Sequence, residues 1–172
     1  MRKKEDEQMG RKSNKENKNI YQLCREGAGL TREAAAAGMD FISASRIEKI
    51  ESERSLPHPE EILAMAKCYK NPSLCNHYCS HECPIGIEYV DEIEEKNISQ
   101  ITLEMMVTIN KLVIDRDRLM EITVDGKITE DEYEDFKNIR KHLLEMSQAI
   151  NSMKLWIDNT IAAGELDSEA LS

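Results

Sequence analysis

Apolar residues recur along this chain at steps of three and four, the period of a helix face, and runs of Val, Thr and Tyr that would signal strands are missing. Ile20, Leu23 and Cys24 mark the inner face of a first helix, opened by a Ser13/Glu16 capping box and ended by Gly27 and Gly29. Thr31 is placed to cap a short, Ala-filled second helix, which Gly38 can end at positive φ. Ser43 caps a third helix in which Ile47 and Ile50 share one face, while Ser45, Arg46, Glu48 and Lys49 occupy the other. Pro59 suits the first turn of a fourth helix, with Ile62, Met65, Ala66 and Tyr69 facing inward and Asn71-Pro72 closing it.

The second half reads differently. From Ile98 the positions Ile98, Ile101, Met105, Ile109, Leu112, Val113, Leu119 and Ile122 fit one long helix face. Val124-Asp125-Gly126-Lys127 signals a turn, and Thr129 with Glu132 forms another capping box. Then Phe136, Ile139, Leu143, Met146, Ile150, Met153 and Ile157 alternate steps of three and four, a heptad seam over more than three repeats. The pattern predicts an all-α chain: an N-terminal helix-turn-helix head and a long antiparallel helical hairpin. Its divisions are a charged, disordered tail (1–12), the head (13–71), a Cys/His-rich joint (72–97), the hairpin (98–163) and a tail (164–172). Two helices cannot close a core alone. The hairpin either packs on residues 85–97 or the head, or dimerises as a four-helix bundle, and the length of the seam favours a homodimer. Trp156 is read as a bundle or interface residue.

Composition adds limits. The chain has 172 residues and only 5% aromatics, so its core is built from Ile, Leu, Met and Ala. No apolar run approaches 18 residues and the N-terminus lacks an apolar signal segment, which leads to the expectation of a cytoplasmic protein without a membrane partner. Net charge is −10, but it is divided unevenly: residues 1–70 hold 14 Lys+Arg against 12 Asp+Glu, and the acid lies in the C-terminal part. The basic end is the one attached to the head, so the overall sign does not exclude a polyanionic partner.

Five cysteines in such a chain are thiols or metal ligands rather than a disulfide framework. Cys75, Cys79 and Cys83 are spaced by four, with His77 and His81 between them. On one continuous helix the thiols would share a face and the histidines lie nearly opposite, so one ion could not take three Cys and a His. A break near Pro84, or sharing across a dimer, would lift that restriction. Three readings stand: cysteines buried as small apolar residues, a zinc or iron–sulfur site on Cys75, Cys79, Cys83, His77 and His81, and a redox thiol pair. Cys24 and Cys68 fall on inner faces and read as core.

The order and spacing of the first four helices, with Gly29-Leu30-Thr31 opening the second and Arg46 to Pro57 (RIEKIESERSLP) closing the third, resembles the lambda-repressor-like (Cro/CI, Xre-type) DNA-binding domain over residues 16–70. The resemblance implies that helix three enters the major groove of double-stranded DNA. With Ser43 as cap, it places Ala44, Ser45, Glu48 and Lys49 at base edges. Arg32, Arg46, Arg54 and the N-terminal arm then fall at phosphates, and Glu51 holds the loop. The chain departs from the family pattern in a longer turn at GMDFI, in Ala where a Leu is usual within helix two, and in Ser52 where a Gly usually follows helix three.

Nothing supports an enzyme: there is no Gly-rich phosphate loop, G-x-S-x-G or HExxH, and the run from Glu121 to Glu132 only imitates a calcium loop. The expected function is sequence-specific transcriptional regulation, in its simplest form repression by a dimer occupying a promoter. The alternatives are a metal- or redox-responsive regulator and a protein-interaction adaptor whose head no longer binds DNA.

Overall fold

The computed structural model describes residues 18–169, and among these every regular element is helical: α1 (Ile20–Gly27), α2 (Arg32–Ala37), α3 (Ala44–Glu51), α4 (Pro59–Cys68), α5 (Ser73–His81), α6 (Pro84–Tyr89), α7 (Ile98–Thr123) and α8 (Tyr133–Ala163). A 3-10 turn at Glu130–Glu132 leads into α8. No described helix is long and apolar enough to cross a membrane.

The head closes around Ile47, Ile50, Ile62, Met65 and Leu74, all essentially sealed from solvent. Each such side chain contributes about 1.5–3 kcal/mol by leaving water. Leu74 belongs to α5, and Cys75 and Tyr78 pack beside it. So α5, assigned from sequence to the joint, lies against the head's core. Thr31 and Ser43 cap as expected, accepting from the Ala34 and Arg46 backbone N–H groups at 3.0 and 3.2 Å.

Three local expectations are corrected. α1 is capped by Asn19, whose Oδ1 accepts from Gln22 N at 3.1 Å while its Nδ2 donates to the Ile50 carbonyl at 2.9 Å; Ser13 lies outside the described residues. That second bond ties the start of α1 to the end of α3, which a purely local capping box cannot do. The face of α1 is also turned: Tyr21, Gln22 and Arg25 are buried and Leu23 is exposed. Gly38 has φ −88°, so positive φ is not its reason; a Cβ there would stand 3.2 Å from the Cys68 Sγ, tighter than normal packing.

The left-handed residue after α3 is Glu53 (φ 59°) rather than Ser52, whose φ is −94°. Glu53 N–H bonds to the Ile50 carbonyl at 3.0 Å and Arg54 N–H to the Lys49 carbonyl at 2.9 Å, the two bonds of a Schellman cap. A non-Gly residue costs about 1–2 kcal/mol in that conformation. Glu53→Gly is therefore expected to raise the urea midpoint, with a net gain of about 0.5–1 kcal/mol after the loosened unfolded chain is counted. A lower midpoint would mean the Glu53 side chain stabilises the loop more than the strain destabilises it.

α7 and α8 form the antiparallel hairpin, joined through Gly126 (φ 72°) and the Thr129/Glu132 capping box. Its inner seam is narrower than the sequence pattern. Ile101 and Ile122 of α7 and Ile139 of α8 are buried, whereas Ile98, Ile109, Val113, Leu143 and Ile150 are exposed. The polar residues Thr108 and Ser152 are buried in their place, and His142 Nδ1 meets Asp115 Oδ2 across the seam at 2.5 Å.

Candidate nucleic-acid interface

α3 is anchored from behind by Ile47 and Ile50, so helical geometry turns Ser45 and Lys49 fully outward, with Ala44, Glu48 and Ser52 half-exposed beside them. Ser43, exposed, frames the N-terminal end of this surface.

Behind it lies the polar centre of the head. The Glu51 carboxylate is buried and accepts from Arg25 Nε at 2.5 Å, Arg25 Nη2 at 3.0 Å and Arg32 Nε at 2.7 Å. Arg25 also donates to the Leu30 carbonyl at 2.6 Å. One carboxylate thus fixes α1, α2 and the end of α3 relative to one another, in the loop-holding role the resemblance implied. Arg25 itself was not foreseen; the signal was an Arg one residue past an inner-face Cys.

The three arginines expected at phosphates are placed unevenly. Arg46 is turned away from the surface: both Glu61 oxygens accept from it at 2.6 Å, Ser55 Oγ at 2.5 Å and the Leu56 carbonyl at 2.9 Å. Its guanidinium brackets α3 to the loop before α4, and it holds the Glu61 carboxyl below the usual carboxylate range. That geometry places the Arg46 guanidinium against α4 and the preceding loop rather than on the outer face of α3. Arg32 is a third exposed but bonded to Glu51. Arg54 is exposed and paired with Glu48 on the outer face. The arm lies outside the described residues. Among the described residues Lys49, Lys67 and Lys70 make no ion pair.

The Cys/His segment is broken as the sequence allowed. Cys75 and Cys79 lie one turn apart on α5, but Cys83 falls beyond its end and precedes Pro84, the first residue of α6. The α5–α6 corner is tight: a Cβ on Gly86 would stand 2.1 Å from the Cys79 carbonyl oxygen. His77 and His81 stack with ring centroids 4.4 Å apart, and His81 Nε2 lies 3.5 Å from Glu92 Oε1. Burial, and then the neighbouring His81, push His77 below the ordinary histidine range. Among the described residues no three His, Cys, Asp or Glu side chains are grouped so as to hold one metal ion. Burial also pushes the Cys24, Cys68 and Cys75 thiols up, away from the thiolate form that reacts or ligates.

No curated protein and no solved structure matches the chain. Residues 22–73, spanning α1 to the start of α5, match the family model described as helix-turn-helix. The matched span holds the two capped helices, the turn between them and the buried ion cluster that orients α3. This part of the chain is a DNA-binding helix-turn-helix domain of the lambda-repressor-like, Xre type, and the chain is a transcription regulator in that general sense.

Proposed function

We propose that the protein is a sequence-specific repressor that binds double-stranded DNA as a homodimer, reading the major groove with α3 and joining its two copies through the hairpin 98–163. The observation that carries the reading is the outer face of α3. Its back is sealed by Ile47 and Ile50, and its front offers Ala44, Ser45, Glu48 and Lys49 on one outer face. The chemistry of each gives a preference: a Lys ammonium toward guanine O6/N7, a carboxylate toward cytosine N4, and an Ala methyl toward a thymine methyl. Arg32 and Arg54, at the edges of that face, serve phosphates once their carboxylate partners yield, whereas Arg46 holds α3 in place.

A dimer would set two α3 helices about 34 Å apart, one turn of DNA. Selection of bound DNA from a random duplex pool tests this directly. Wild type is expected to enrich a palindrome with half-site centres about 10 base pairs apart, and Lys49→Ala to relax the base preference at one position per half-site, at a cost of about 1–3 kcal/mol. No enrichment at low salt would overturn the reading and leave the adaptor alternative.

A further inference from the structure

Between α6 and α7 the chain runs as a strap, residues 90–97, without regular structure. α5 pins it from the side. Asn76 Nδ2 donates to the Asp91 carbonyl at 3.0 Å, and Asn76 Oδ1 accepts from the Ile93 N–H at 2.9 Å. At the start of α5, Ser73 Oγ donates to the Glu95 carboxylate and accepts from Asn159 Nδ2 of α8 at 3.0 Å. One hydroxyl therefore ties the head, the strap and the hairpin together. Among the described residues, this bond from Asn159 to Ser73 is the one hydrogen bond that joins a hairpin helix directly to a head helix.

Apolar packing does not close the joint. A cleft of about 440 Å³ opens beside it, with Leu23, Cys24 and Tyr69 lining it from the head and Glu95 and Asn159 from the other side. Leu23 is left 51% exposed. A second space of about 140 Å³ is lined by Glu95 and Lys96 of the strap and by Leu155 and Trp156 of α8. Apolar contact is non-directional, whereas a hydrogen bond fixes an angle as well as a distance. In a joint this open, orientation falls to the polar contacts. Their footing on the head side is firm: Leu74, next to Ser73 on α5, is sealed in the core that holds Ile47 and Ile50 of α3. A tilt of α8 about Ser73 is thus a tilt relative to α3.

We infer that Ser73 and Asn159 are positioning residues that fix the angle between head and hairpin, and with it the separation of the two α3 helices when the hairpin joins two copies. The effect on DNA rests on the dimeric reading; the angle within one chain does not. Asn76 supports the pair by keeping the strap, and so Glu95, beside Ser73. Heads held at one angle accept one half-site separation, because each added base pair moves a half-site about 3.4 Å along the duplex and about 34° around it.

The test compares wild type with Ser73→Ala/Asn159→Ala and with Ser73→Thr, which keeps a hydroxyl. Residual dipolar couplings of the full chain without DNA read the angle. In wild type and Ser73→Thr the amides of α3 and α4 and those of α7 and α8 should fit a single alignment tensor. The double variant should lose that common tensor while each half still fits its own, which shows that both halves remain folded. Separate tensors in wild type, or a single tensor kept by the double variant, would overturn the proposal. Palindromes stepped by single base pairs read the consequence. Wild type should bind one separation at least about 10-fold better than its neighbours, and the double variant should bind neighbouring separations within about 3-fold of one another. Affinity for a single half-site should stay the same, as it would not if α3 were damaged. A separation preference as sharp in the double variant as in wild type would also overturn the proposal. Wild type that binds no paired half-sites would sink the dimeric reading alone, and the couplings would still decide whether Ser73 and Asn159 set the angle.

Discussion

Glu51→Ala is expected to destabilise the head by about 3–5 kcal/mol, the largest effect of any single truncation in it. The Glu51 side chain is 1% exposed, and Arg25, its main partner, is 7% exposed. Removing the carboxylate leaves the Arg25 guanidinium in the interior with the Leu30 carbonyl and a distant Glu26 carboxylate, 3.9 Å away, as its remaining partners, and it frees Arg32 from the end of α3. The cost is the desolvation of an unpaired charge, not the loss of one attraction. In a chain of this length it should lower the thermal midpoint by roughly 10–15 °C. Glu48→Ala is the internal comparison: its pair with Arg54 is half-exposed and solvent-screened, so the change should stay within about 0.5 kcal/mol. Urea denaturation followed by circular dichroism reads both. A loss below about 1 kcal/mol for Glu51→Ala would show that water reaches the cluster and replaces the missing carboxylate.

Local chemistry was legible and long-range pairing was not. Thr31 and Ser43 were readable as caps because a cap is decided within three residues, and Ile62, Met65 and Ala66 because one helical face was apolar without interruption. Arg46 could not be assigned in the same way. An Arg on an exposed-looking helix face is equally suited to a phosphate and a carboxylate, and only the fold brings Glu61 within 2.6 Å. Leu23, expected on the inner face, lies outside while Arg25 is buried, because the Glu51 carboxylate, 26 residues away in sequence, draws Arg25 inside. The α8 seam shows a further limit. Ile139 and Leu143 belong to one heptad pattern, yet one faces α7 and the other faces out. Periodicity marks which positions want cover and is silent on what covers them.

The last expected result concerns charge. Residues 18–70 hold eight Lys+Arg and eight Asp+Glu, so the described head is neutral overall. Arg25, Arg32, Arg46 and Arg54 are each bonded to a carboxylate, and Lys18 to Glu26 at 2.7 Å. On the outer face of α3 this leaves Lys49. Residues 1–17 hold six Lys+Arg against four Asp+Glu, all of the net positive charge in the first 70 residues. Under the DNA-binding reading, phosphate neutralisation falls chiefly to that segment, and base reading to α3. Removing residues 1–17 should therefore lower affinity by about 10²–10³ at moderate salt. It should also flatten the plot of log affinity against log salt by up to about 5 units, near 0.9 for each phosphate no longer neutralised. The ratio of specific to non-specific binding should change little, because Ser45, Glu48 and Lys49 remain. Fluorescence anisotropy of a labelled operator between about 50 and 200 mM salt measures slope and ratio together. An unchanged slope would mean that residues 1–17 neutralise no phosphates and that Arg32 and Arg54, released from their carboxylates, carry that task alone; Arg54→Ala should then lower the slope by about 1.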